Sequence, residues 1–150
     1  MPGLNALLNY HPLFVHFPIA LWLAALLFEG LALWRANDEW HRTAVRLLYL
    51  GTIGGFAALS TGFMAQNSVV PEPDVQSILA LHKLLMLITT SVALGLCLYA
   101  FAVRDRFDIG KRRLFLVGLV VLAILMVVGT DKGGFLVYHF GQSVNLTTTH

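Results

Sequence analysis

Charge is what this chain of 150 residues has least of: Lys, Arg, Asp and Glu together make up 12% of it, against about 25% in soluble domains. With 57% hydrophobic residues and a mean hydropathy of +0.74, it lacks the polar surface that a water-soluble fold requires. Cysteine is nearly missing as well. The single Cys97 excludes an internal disulfide framework, a CxxC redox pair and a CxxCH haem-attachment motif, so any haem here is held without a covalent bond. No nucleophile elbow, HExxH or carboxylate pair supports a hydrolytic enzyme, and no residue takes a catalytic role. The net charge of +2 does not describe a nucleic-acid surface, because the basic residues cluster at the ends of apolar runs. Residues 1–10 carry no basic n-region, and Glu29 and Trp34 stand where a signal peptide would have its cleavage site. The first apolar run therefore reads as a retained span.

Four such runs are present, at about 12–34, 43–64, 74–103 and 114–130, and each approaches or exceeds the roughly 20 residues that cross a bilayer. The predicted fold is all-α and integral to the membrane: one domain over 1–150, a four-helix transmembrane bundle running up-down-up-down, with an outer tail at 131–150. Arg35, Arg42 and Arg46 border the first connection, and Arg104, Arg106, Lys111, Arg112 and Arg113 the third. Positive charge stays on the cytoplasmic side, so both termini are expected outside. Pro71-Glu72-Pro73-Asp74 reads as a helix start with Asp74 as cap, and Pro18 is expected to bend the outer part of the first span.

Helices meet in lipid through small and polar residues, which therefore mark the expected inward faces. These are Gly51, Gly55, Ala58 and Gly62 in span two, and His82, Met86, Thr89, Ala93, Cys97 and Ala100 in span three. Gly118, Leu122, Leu125 and Gly129 play the same part in span four, and His16, Ala20, Leu23 and Leu27 in span one. Glu29 is a carboxylate inside the first span, and such a group needs a partner. Reflecting the first hairpin about Asn37 and Asp38 places it level with Arg46, which predicts a structural Glu29–Arg46 ion pair.

Of six histidines, His11, His16, His82 and His139 map to the outer third, whereas His41 falls in the first cytoplasmic connection and His150 ends the tail. Spans one and three are diagonal in a simple bundle, so His16 and His82 can face each other across the core, with Gly62 and Gly129 at the same level. Two facing imidazoles between glycine-lined helices suit the axial ligation of a haem b, with Thr61 able to orient a ligand. Met86, one turn from His82, keeps a His/Met haem or a copper site open. His11 and His139, beyond the hydrocarbon, are expected at a lid or docking site. Gly133 and Gly134 can break span four, leaving Phe135, Val137 and His139 in an extended strand or another helical turn, and a short segment folding over the bundle mouth is the favoured expectation.

The segment His11-Pro-Leu-Phe-Val-His16-Phe-Pro18-Ile-Ala20 resembles the opening signature of a bacterial family of four-span membrane proteins catalogued as domain of unknown function 2231. Glu29, Thr61-Gly62, His82 and Gly133-Gly134-Phe-Leu-Val-Tyr138-His139-Phe-Gly141 match it too, so the resemblance covers most of the chain. It implies proximity to c-type cytochrome modules in a bacterial inner membrane; the family label itself carries no reaction. The leading expectation is a membrane-embedded haem-b electron-transfer and anchoring subunit that links a periplasmic cytochrome c or oxidoreductase to the quinone pool. It is at most one subunit of an oxidoreductase complex. The alternatives are a cofactor-free assembly subunit and a copper or other metal-binding protein.

Overall fold

A computed structural model of the chain describes residues 11–65, 72–103 and 107–140. Four helices fill them: α1 (His11–Arg35), α2 (Asp38–Ala65), α3 (Pro73–Val103) and α4 (Ile109–Phe140). All four are long and apolar enough to cross a membrane, so this is a multi-pass protein of the lipid bilayer.

Local chemistry sets the helix ends. Between α1 and α2, Ala36 takes the left-handed conformation (φ 50°), and the Asn37 amide returns to the carbonyl of Ala32 at 3.0 Å. The Asn37 side chain then caps α2 by accepting from the Trp40 amide at 3.1 Å. At the start of α3, Pro73 occupies the first helical position, where its missing donor costs nothing. Asp74 falls inside the first turn of α3, so it is not the cap. The α4 cap is Asp108, whose carboxylate accepts from the Lys111 amide at 3.0 Å. The Lys111 ammonium hydrogen-bonded to that carboxyl holds it below the usual carboxylate range.

Proline and paired glycine both fall inside helices. The α1 helix runs on through Pro18, which is buried against α2 beside Gly54. Gly133 and Gly134 lie inside α4, which continues to Phe140 in place of the segment expected to fold over the bundle mouth. Helix geometry requires no Cβ, so paired glycines weaken a helix without ending it when packing holds it.

Among the described residues the helix backbones pack in the ring α1–α2–α3–α4, and across one diagonal the side chains of Arg112 and Phe115 in α4 reach Asp38 and His41 in α2. Trp22, Ala25, Leu48, Ala93, Cys97, Phe115, Leu119, Leu122 and Met126 form the core. Trp22 lies across α2 at Gly51 and Gly55: a Cβ at Gly51 would come within 2.7 Å of its ring, and one at Gly55 within 2.9 Å. Lipid takes the large side chains that remain outside, such as Leu27, Ile53, Leu98 and Ile124.

Candidate functional sites at the two ends of the bundle

The buried stripe of α1 is Pro18, Trp22, Ala25, Glu29 and Ala32, and it sets the rotation of the whole helix. Glu29 is fully buried. Its Oε2 is 2.6 Å from Nδ1 of His41 in the first turn of α2, and its Oε1 is 3.6 Å from Nε of Arg112 in α4. The second distance suits an ion pair but is too long for a hydrogen bond, so Glu29 Oε1 and Arg112 Nε are both buried without a hydrogen-bond partner. Arg112 reaches back with its guanidinium to donate to Asp38 Oδ1 at 3.0 Å and to the Asn37 carbonyl at 3.4 Å. Rings close the pocket around His41: Phe107 at 4.3 Å and Phe115 at 5.9 Å between centroids. Tyr99 extends the wall from α3, edge-on to Phe107, with its hydroxyl donating to the Lys111 carbonyl at 3.3 Å.

Glu29 is thus paired, but with His41 and Arg112; Arg46 is exposed. The reflected depth was nearly right and the azimuth was not. At 100° per residue, Arg46 points some 160° away from Leu48 and Ala44, which are buried. His41, three residues before Ala44, shares their face, and it is a buried helical residue instead of a loop residue.

At the opposite end, the structure treats the histidines unequally. His82 is half-buried between α3 and α4, with Nδ1 2.8 Å from the Gly129 carbonyl. A carbonyl only accepts, so Nδ1 carries the hydrogen and the lone pair sits on Nε2. Glycine makes this seat: a Cβ on Gly133 would be 2.8 Å from the imidazole. His16 is exposed on α1, in a stripe with Leu23 and Leu27 that faces lipid. His139 is exposed near the end of α4 and stacks on Phe135 at 4.7 Å. His11 opens α1, and its side chain lies outside the described residues.

The diagonal His16–His82 pair therefore does not assemble within one chain. His16 faces away from the core, and α3 turns His82 towards α4. Of the two glycines expected at the level of a macrocycle, Gly129 has the Met86 methyl lying against it. Gly62 is half-buried, and Thr61 bonds back to the carbonyls of Ala57 at 3.1 Å and Ala58 at 3.0 Å. A haem ligated by His16 and His82 does not fit this packing. Among the described residues, no group of three or more His, Cys, Asp or Glu side chains is arranged around a common metal position.

Together these features define a small polytopic membrane bundle with a buried ionic knot at its arginine-rich end and a carbonyl-anchored histidine, His82, near the other. The chain belongs to the predicted membrane protein family DUF2231, whose sequence profile matches residues 8–145. No curated protein and no solved structure matches it.

Proposed function

We propose that the chain is an anchoring and assembly subunit of the bacterial inner membrane, packing by its lipid-facing helices against the membrane subunits of a larger complex. The arginine-rich end lies in the cytoplasm in this reading, and both termini outside. What supports it is how the glycine grooves are used. Trp22, Leu96, Met86 and His82 of the chain itself occupy them, so the small residues serve close helix packing. If the reading is right, the protein purified from a haem-replete host is colourless. His16→Ala and His82→Ala then leave the size of its complex in mild detergent unchanged. A Soret band lost on either substitution overturns it.

A specific observation favours a second reading, the haem-b subunit between a periplasmic c-type cytochrome or oxidoreductase and the quinone pool. Metal-ligating histidines characteristically donate their other ring nitrogen to a carbonyl or carboxylate, and His82 does so to Gly129. Its Nε2 would hold an iron, or a copper, whose remaining ligand came from another chain. A haem supplies one-electron transfer when bound; His82 and Gly129 supply a fixed imidazole orientation. This reading predicts a Soret band that His82→Ala removes and His16→Ala keeps.

A further inference from the structure

The ionic knot at the arginine-rich end is more elaborate than packing requires. Three helices and the α1–α2 turn contribute to it, yet Glu29 Oε1 and Arg112 Nε are left, deeply buried, without hydrogen bonds. Replacing a buried ion pair by apolar residues of similar volume is often neutral or stabilising, so stability alone does not account for this one. The groups facing His41 are few and can be named. Glu29 comes from α1, Asp38 from its own helix by way of Arg112, and Arg112 from α4. Lys111 of α4 is turned to Asp108, and α3 presents the Tyr99 hydroxyl, which donates to the Lys111 carbonyl.

We infer that the Glu29–His41 pair is a buried proton-binding site, open to water at the arginine-rich end through Asp38. The Nδ1–H of His41 donates to the Glu29 carboxylate, which only accepts in its ionised form, and leaves Nε2 free to take the proton. Uptake brings the formal charges of Glu29, His41, Arg112 and Asp38 to zero; release leaves one negative charge in excess. Arg112 acts as a positioning residue, holding Glu29 from the far side while its Nη1 meets Asp38, whose side chain is 78% exposed. Asp38 thus sits at the aqueous edge, and His41 behind it is flanked by Phe107 and Phe115. Proton occupancy at this place acts on the joint between the α1–α2 hairpin and α4.

The test uses the full-length protein, labelled with 15N-histidine, in lipid nanodiscs. It is titrated between about pH 5 and 8, and the His41 signal is identified by its absence in His41→Gln. A second identification comes from Phe107→Leu, which removes a ring 4.3 Å from the imidazole without touching the ion pair, and so shifts His41 selectively. The expected result is a reversible passage of Nε2 from the neutral to the imidazolium position. In Glu29→Gln, which removes the carboxylate that accepts from Nδ1, the midpoint moves. A His41 signal fixed across the range, or a midpoint unmoved in Glu29→Gln, overturns the inference.

Discussion

Nε of Arg112 faces Oε1 of Glu29 at 3.6 Å, so the last helix of the bundle is tied to the first by two buried charges. Removing one charge leaves the other stranded in a low-dielectric interior, which costs about 3–5 kcal/mol; removing both does not. Arg112→Met should therefore sharply lower the denaturation midpoint in detergent, and adding Glu29→Met should recover part of the loss, since it also takes away the acceptor of His41 Nδ1. His41 keeps its aromatic walls in the double variant. If the double variant is less stable than Arg112→Met alone, the two charges are not coupled through each other.

The glycines divide into two groups with opposite expected behaviour. Gly51 sits under Trp22, where a methyl would come within 2.7 Å of a large buried ring that has little room to move. Overpacking of this kind costs about 1–3 kcal/mol, so Gly51→Ala should lower thermal stability. Gly134 has nothing within 4 Å of its missing Cβ, and there alanine should stabilise α4 by up to about 1 kcal/mol. Equal effects at the two positions would mean that Trp22 does not rest in this groove.

Much of this organisation was legible in the sequence, and what was misread was mostly azimuth. Runs of apolar residues locate four spans because lipid tolerates few alternatives to a helix. The helix ends reach further than hydropathy indicates: α2 begins at Asp38 and α4 at Ile109, since caps and first turns are polar. In α1 the stripe His16, Ala20, Leu23 and Leu27 is real but faces lipid. The deciding signal was Glu29, the residue that lipid tolerates least. Thirteen residues separate it from His16, which places the two about 140° apart on a helical wheel. Once Glu29 turns inward, His16 turns out. The same phase argument finds the partners of Glu29. His41 continues the buried series Ala58, Gly55, Gly51, Leu48 and Ala44, and Arg112 continues Gly129, Met126, Leu122, Leu119 and Phe115. The carbonyl bond of His82 was beyond the sequence, because it depends on how α3 and α4 are rotated against each other.

The unequal surroundings of His82 and His16 lead to a stability contrast independent of any cofactor. His82→Ala loses the 2.8 Å bond to the Gly129 carbonyl and opens the space above Gly133. One lost hydrogen bond to the carbonyl of buried Gly129, with the void beside it, predicts a loss of about 1–3 kcal/mol. His16→Ala, on an exposed face, should cost less. Thermal melts of both variants in the same detergent decide the matter, and a larger loss at His16 would contradict the packing described.

The proposed orientation rests on where arginine and lysine fall, and it can be measured through a feature the chain already has. Cys97, the only cysteine, is buried among core residues of α3, so a membrane-impermeant thiol reagent should not reach it. That gives a silent background for single introduced cysteines. Tyr138 is 92% exposed near the end of α4, and Glu39 stands exposed in the first turn of α2 at the opposite end. Because most of the basic residues lie at the Glu39 end, Tyr138→Cys should be labelled on intact cells with a permeable outer membrane. Glu39→Cys should be labelled only after the inner membrane is opened. The reverse pattern would place the Glu29–His41 pair at the outer face. Its proton would then come from the periplasm, and any ligand held by His82 would face the cytoplasm.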